Sequence, residues 1–324
     1  MSVKGRVSIV IPSRNEAHLQ KTVVDLLSKA AGDVEILVML EGLPWPDPPL
    51  PDDPRVRVLF SEVPRGMRPC INLGAEAATG EWLMKADAHI AIQDGYDEVL
   101  KADCDRDWLV VPTRDSLDAD RWVPVRRDFN YSILTYPYLG ATMYGEGFHA
   151  VTLGGALNRA VNKQREHLPI DDILSAQGSL WFTPTEYFRS FPPLDHETFY
   201  FYQEAQCVMM RVLASGGRCV VNKRTRYQHW HKGKESRGAD GRPGRGFYLD
   251  VRKKRLAESR MVQKILTNDW PRMTRTFTEI IEQHWWLISQ VTDPRYAWPS
   301  DWYDWEKHRK EFESRTPDQI PAHT

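Results

Sequence analysis

Asp87 and His89 stand one residue apart at the end of an apolar run, Gly80-Glu81-Trp82-Leu83-Met84-Lys85-Ala86. A carboxylate oxygen and an imidazole nitrogen delivered by one strand end form an edge for a divalent cation. That mixed donor set suits Mn²⁺ or Zn²⁺ better than Ca²⁺. An aspartate and a histidine so spaced occur by chance in many chains, so their weight depends on their neighbours. Two more histidines, His229 and His231, lie in the stretch Arg226-Tyr227-Gln228-His229-Trp230-His231-Lys232, and Glu204 opens a helical segment. Each has a plainer reading. Asp87 would serve as a helix cap and His89 as a loop residue. His229 and His231 would be surface residues or phosphate contacts in a basic, aromatic segment. Glu204 would be a solvated acid in a first helical turn, where negative charge suits the helix dipole.

The elements that must position these residues follow from periodicity. Val7-Ser8-Ile9-Val10-Ile11 is a β-branched run of the kind buried on both faces of a sheet, and Pro12-Ser13-Arg14-Asn15-Glu16 stops it. A helical pattern fills 17–27, a second buried strand runs from Val34 to Leu40, and prolines crowd the loop 44–54. A third strand spans Val56 to Phe60. A helix is expected over Met67 to Thr79 with Gly80 as its C-cap, and the next strand delivers Asp87 and His89. This order is that of a nucleotide-binding α/β sheet, whose ligands collect outside the carboxyl ends of the strands. Beyond it, strands are expected near Trp108 to Pro112, Ser179 to Phe182 and Cys219 to Val221, and helices over 184–190 and 204–215. The aromatic stretch Phe129 to Tyr138 is expected to cover the site. From Met261 onward the chain reads as helical, and Trp285, Trp286, Trp298, Trp302 and Trp305 must mostly pack to avoid an exposed apolar patch.

Composition narrows the class. The 324 residues are 41% hydrophobic and 27% charged, as in a soluble globular protein. The longest apolar runs are strand-length, far short of a membrane span. The start of the chain leads into a strand without an apolar signal region, and four widely spaced cysteines read as reduced thiols, so a cytoplasmic location without a membrane partner is expected. Neither a GxGxxG fingerprint nor a GxxxxGK[ST] phosphate loop is present, which disfavours dinucleotide and P-loop chemistry. The formal net charge of −1 conceals an asymmetry: Lys223 to Arg260 holds 13 Lys and Arg against 4 Asp and Glu. Segregated charge of this size implies a polyanionic partner or a phosphate-bearing ligand.

In this order and spacing the motifs resemble the nucleotide-sugar glycosyltransferases of the GT-A fold, family 2 and, closer in detail, the polypeptide N-acetylgalactosaminyltransferases. Val7 to Ile11 with the Asn15-Glu16 turn is similar to the family's first strand and turn. Arg65-Gly66-Met67-Arg68 and the helix after it resemble the segment before the metal motif, and Asp87-Ala88-His89 stands where those relatives carry Asp-x-Asp or Asp-x-His. Gly178 to Phe182 resembles the acceptor-side strand, Tyr202-Gln203-Glu204 the segment with a catalytic glutamate, and His229 the third metal ligand. The resemblance covers about residues 6–260. It departs at Glu41, where the relatives have Asp-Asp, and at Ala205, where a second acid is common.

The resemblance implies an α/β GT-A (Rossmann-like) sheet flanked by helices. The domain would span 1–260, with a donor half of about 1–115 and an acceptor half of about 116–260, followed by a Trp-rich helical extension over 261–324. It implies a metal-dependent transferase that uses a nucleoside-diphosphate sugar, with UDP favoured, and Mn²⁺ ahead of Mg²⁺. The metal ligands would be Asp87, His89 and His229, the catalytic-site acid Glu204, and the donor contacts Asn15, Glu16, Glu41, Arg65, Arg68, Asp87 and Trp181. Retention of anomeric configuration is the expected outcome. For the acceptor, the basic stretch suggests DNA with hydroxymethylated bases, contacted by Trp230, His231, Arg237, Arg242, Arg245, Arg252, Lys253 and Lys254. A protein or glycan acceptor is the alternative, as is a non-catalytic nucleotide-sugar or nucleic-acid binding protein. Oligomeric state is left open.

Overall fold

The computed structural model describes residues 2–42, 45–134, 136, 150–176, 178–197, 203–232, 257, 260–261, 263–265, 267–293 and 297–304. Strand β1 (Val3–Ser13) is followed by helix α1 (Leu19–Lys29), β2 (Val34–Glu41), β3 (Val56–Ser61), α2 (Met67–Ala77) and β4 (Gly80–Ala86). β1 lies parallel between β2 and β4, and β3 adds to β2 as the edge strand. Every residue of β2 is buried, as its continuous apolar run requires, whereas β3 alternates and is half-exposed. α1 buries Leu19, Val23, Leu26 and Leu27, an i, i+4, i+7, i+8 stripe laid on the sheet.

After β4 come β5 (Ile90–Ile92), α3 (Tyr96–Ala102), β6 (Trp108–Asp118), β7 (Val123–Phe129), β8 (Ser132–Leu134), β9 (Ala150–Thr152), α4 (Gly155–Gln164) and β10 (Ile170–Asp172). The chain continues through β11 (Leu180–Pro184), α5 (Thr185–Arg189), α6 (Glu204–Ala214), β12 (Arg218–His229) and α7 (Phe277–Ile288). The main sheet runs β10-β12-β6-β11-β4-β1-β2-β3, with β5 pairing β12 and β7 pairing β6. It is parallel up to β4. β11 then inserts antiparallel to both β4 and β6, and β12 runs parallel to β6. This is the mixed α/β sheet flanked by helices that the sequence predicts.

Three local expectations are corrected. Gly80 is the first residue of β4 and not a helix cap; α2 stops at Ala77. Glycine is required at 80 by close approach, since a Cβ there would lie 2.6 Å from the Arg6 carbonyl and 2.8 Å from Ser8 Oγ. The short strand expected at Cys219 to Val221 is a twelve-residue strand, β12, carrying His229 at its last position. A register shift between Asn222 and Arg226 lets it continue through its polar half. The aromatic stretch after Phe129 does not cover the site where it is described: Tyr131 packs edge-on to Trp286, and Tyr136 to Trp298.

The C-terminal region is fastened to the body by those contacts. α7 begins in a capping box between Thr276 and Glu279 and buries Phe277, Ile280, Ile281, His284, Leu287 and Ile288 on one face. Each such apolar side chain contributes about 1.5–3 kcal/mol when fully buried. Trp298 donates its Nε1–H to the Leu134 carbonyl at 2.8 Å, and Trp285 stacks on Trp302. Trp305 lies outside the described residues. No described helix is long and apolar enough to cross a membrane.

Candidate functional site

β4 ends at Ala86, and the backbone N–H of Asp87 donates to the Ser179 carbonyl at 2.8 Å, which fixes the strand end against the β11 side of the sheet. The chain then turns into β5, whose Ile90 pairs with His229. The Trp230 N–H donates to the His89 carbonyl at 3.1 Å, so the ends of β4 and β12 are stitched together. Asp87, His89 and His229 therefore meet, although the first and last are far apart in sequence. One ligand atom from each lies within 4.8 Å of the others. Asp87 Oδ2 is 3.3 Å from His229 Nε2 and 3.8 Å from His89 Nε2.

His229 is 8% exposed, and neither of its ring nitrogens makes a hydrogen bond among the described residues. Such a group costs free energy unless something else coordinates it. Burial lowers its pKa to about 3, so the ring is neutral and keeps a lone pair for a metal. For Asp87 burial opposes ionisation, but Lys85 and the two imidazoles outweigh it and hold the carboxyl well below its usual range. A carboxylate beside two imidazoles, one of them neutral and otherwise unsatisfied among the described residues, fits a divalent cation.

Lys85 is the residue that sequence reading passed over. It is fully buried on β4, two positions before Asp87 and so on the same face of the strand. Its ammonium binds Asp87 Oδ1 at 2.5 Å and donates to the Gly178 carbonyl. The signal was there to read: a lone lysine inside an apolar strand needs an acid nearby.

Glu204 opens α6 and is 4% exposed; its Oε1 accepts the Trp181 Nε1–H at 2.9 Å. Burial raises its carboxyl pKa against the pull of Lys85, the Trp181 hydrogen bond and Arg68. Gly178 must be glycine, because a Cβ there would sit 2.4 Å from Glu204 Oε2. Trp181 and Arg68 are themselves fully buried, Trp181 stacking on Phe188 and Arg68 donating to Cys207 Sγ. The structure thus brings Glu204, Trp181, Arg68 and Lys85 into one buried cluster adjoining Asp87.

The remaining candidates separate. Glu41 gives its carboxylate to the backbone N–H groups of Arg65 (2.6 Å) and Gly66 (3.0 Å), which ties the loop before α2 to the end of β2. Glu41 and Arg65 line a groove of about 350 Å³ with Phe60, Cys70 and Leu73, between β3 and α2. Asn15 is buried in the turn after β1 with φ at +55°, a left-handed conformation that asparagine tolerates. Glu16 turns toward His89 and Lys232: its Oε2 is 3.2 Å from His89 Nδ1 and its Oε1 binds the Lys232 ammonium. Burial opposes its charge, but His89 and Lys232 prevail and lower its pKa.

His231 Nε2 accepts from Arg114 Nη1 at 2.6 Å, and its ring meets that of His229 edge-on. Arg114, on β6, was also missed, because only the pairing of β6 with β12 brings it near. Trp230 packs edge-on against His18 and His89. Arg237, Arg242, Arg245, Arg252, Lys253 and Lys254 lie outside the described residues.

Residues 8–165, from β1 through α4, match the family model described as glycosyl transferase family 2. The match covers just under half of the chain, and together with the sheet topology it gives the chain the GT-A fold. Among solved structures, GalNAc-T7, crystallised with UDP, GalNAc and Mn²⁺, superposes over 95% of this chain with a TM-score of 0.57 at 15% identity. The chain spans 55% of the length of that protein. S. aureus TarS residues 1–349, in complex with UDP-GlcNAc, aligns over 82% of this chain and 68% of its own, with a TM-score of 0.47 and 13% identity. No curated protein sequence matches the chain.

Proposed function

We propose that this protein is a glycosyltransferase that moves a sugar from a nucleoside-diphosphate donor, with uridine as the base, to a hydroxyl acceptor, and that it requires a divalent cation held by Asp87, His89 and His229. The observation that carries the reading is the meeting of these three groups at the strand ends, with a buried, neutral imidazole whose nitrogens make no hydrogen bond among the described residues. The donor set favours Mn²⁺, with Mg²⁺ second. GalNAc-T7, which shares the fold, was crystallised with UDP, GalNAc and Mn²⁺, and this supports both donor and metal.

When bound, the cation supplies Lewis-acid stabilisation of the charge that develops on a departing diphosphate, worth several kcal/mol. The chain's own residues do the rest. Lys85 holds one oxygen of Asp87 and so leaves Oδ2 turned to the histidines. Glu204, with its pKa raised by burial, keeps a proton more readily than an ordinary carboxyl and can both donate to and accept from a sugar hydroxyl. Retention is the proposed outcome: Ala205 follows Glu204, so the next residue offers no second acid to serve as a paired base.

Assay of nucleoside-diphosphate sugar hydrolysis with Mn²⁺, Mg²⁺ or EDTA tests the reading. UDP-sugars with Mn²⁺ are expected to be best, and His229→Ala to abolish the metal stimulation. A His229→Ala protein with unchanged metal dependence overturns it, and the product anomer read by NMR decides the stereochemistry.

For the acceptor, the surplus of positive charge between Lys223 and Arg260 supports a hydroxymethylated DNA base. Four of those cations are already committed: Lys223 to Asp171, Arg224 to Asp103, Arg226 to Asp115 and Asp128, and Lys232 to Glu16. That leaves nine Lys and Arg against 4 acids for a polyanion. DNA affinity should therefore fall with log salt at a slope of about −5 or shallower. Absence of any retention on DNA at low salt removes this acceptor and leaves the protein or glycan alternative.

A further inference from the structure

We propose that Glu16 is the positioning residue of the metal site: its carboxylate fixes the His89 imidazole in the tautomer protonated at Nδ1, so that Nε2 carries the lone pair offered to a divalent cation. The proposal rests on the metal reading above and deepens it. Glu16 lies in the turn between β1 and α1, with a side chain only 8% exposed. Its Oε2 is 3.2 Å from His89 Nδ1, while its other oxygen takes the Lys232 ammonium. An ionised carboxylate accepts hydrogen bonds and donates none, so the proton between the two must belong to the ring. The opposite nitrogen, Nε2, stands 3.8 Å from Asp87 Oδ2, beyond hydrogen-bond range and on the side of the three-ligand cluster.

Metal-ligating histidines commonly donate their second N–H to a carboxylate or carbonyl, which orients the ring and raises its basicity, and loss of that partner costs about 10–100-fold in metal affinity. The two histidines here differ in this respect. His89 is held by Glu16, whereas His229 has no hydrogen-bond partner on either nitrogen among the described residues. Glu16 is expected from sequence to contact the nucleotide. In the structure one of its oxygens meets His89 and the other Lys232.

The test uses the full-length, metal-free protein as wild type, Glu16→Ala and Glu16→Gln. Mn²⁺ alone is titrated by calorimetry, metal-free UDP binding is measured separately, and histidine ¹⁵N shifts report the tautomer of His89. Wild type is expected to show Nδ1 protonated. Glu16→Ala should lose that preference and bind Mn²⁺ about 10–100-fold more weakly. Glu16→Gln, whose amide oxygen still accepts from Nδ1, should recover most of the affinity, and metal-free UDP binding should not change.

A Glu16→Ala protein with wild-type Mn²⁺ affinity overturns the proposal, and one that loses metal-free UDP binding but keeps Mn²⁺ returns Glu16 to the nucleotide. Should Glu16→Ala not fold, the wild-type spectrum still decides, since His89 protonated at Nε2 is incompatible with the proposed role. A wild type that takes up no Mn²⁺ overturns the metal reading itself, a result distinct from every failure above.

Discussion

Replacing Lys85 by Met tests whether the buried cation is part of the site or a packing accident. The lysine is 0% exposed, binds Asp87 Oδ1 and the Gly178 carbonyl, and lies close enough to Glu204 to oppose its protonation. Met fills a similar volume but leaves a carboxylate and a carbonyl without their donor. Breaking a buried ion pair by removing one partner costs about 3–5 kcal/mol. Asp87 keeps 17% of its side chain exposed and can recruit water, so the lower end, about 3 kcal/mol, applies. With an unfolding entropy of about 2.1 cal/mol/K per residue, a chain of 324 residues loses roughly 4 °C in Tm.

The assay is calorimetric melting in EDTA at neutral pH of wild type, Lys85→Met, Asp87→Asn and the double variant. The two sites should couple by at least about 1 kcal/mol, because the double variant no longer strands a charge. Mn²⁺ should restore more of the Tm of Lys85→Met than it adds to wild type, since a divalent charge replaces the missing one. Single-variant losses that add within about 0.5 kcal/mol would refute the reasoning.

Two further perturbations follow from the same geometry. Asp171 accepts two hydrogen bonds from Arg165 and one from the Tyr131 hydroxyl, and Arg165 in turn covers Trp286. Burial works against its charge, yet these partners lower its pKa below the ordinary 3.8. A depressed carboxyl stabilises the fold at pH values above its unfolded pKa and loses that contribution as pH falls through the folded one. Asp171→Asn should therefore cost about 3 kcal/mol at neutral pH, and the gap to wild type should close below about pH 4; a gap constant down to pH 3 would count against the ion pair. Gly178→Ala drives a Cβ to within 2.4 Å of Glu204 Oε2 and should break the Trp181 hydrogen bond. Its destabilisation should largely vanish in a Glu204→Ala background, and equal losses in both backgrounds would show the clash to be elsewhere.

The first part of the fold was legible because β1, β2 and β4 are largely buried on both faces and α1 and α2 are amphipathic, so periodicity and burial agree there. β12 was legible only at its start. Its apolar half, Cys219 to Val221, reads as a strand, but Arg224 and Arg226 stay in the sheet because Asp103, Asp115 and Asp128 neutralise them. No local pattern announces partners 98 to 121 residues away in the sequence. The same holds at the site. Asp87 and His89 are marked by spacing, His229 by resemblance and Lys85 as a lone charge in an apolar strand, while Arg114 becomes visible only through strand pairing. Glu41, an acid at a strand end expected to meet the donor, also accepts from two backbone N–H groups, a tie between β2 and the loop before α2 that no local pattern announces.

The charges around the strand ends carry one more consequence. Asp87 is matched by Lys85, Glu16 by Lys232, and Arg114 stands beside His231, while His229 is neutral and Glu204 holds its proton more tightly than usual. The site is therefore close to neutral or cationic before any ligand arrives. A divalent ion alone meets little net negative charge, in contrast to a site built from unpaired carboxylates, so its affinity should be modest. A diphosphate brings the missing negative charge, and by linkage each ligand must then raise the affinity of the other by the same factor. Couplings of this kind run to about 5–150-fold. Mn²⁺ titrated with and without UDP, and UDP titrated with and without Mn²⁺, should give one shared factor in that range. Lys85→Met should reduce it, because an unpaired Asp87 then attracts the metal without help. If Mn²⁺ binds equally well with and without UDP, the matched charges have no bearing on donor binding.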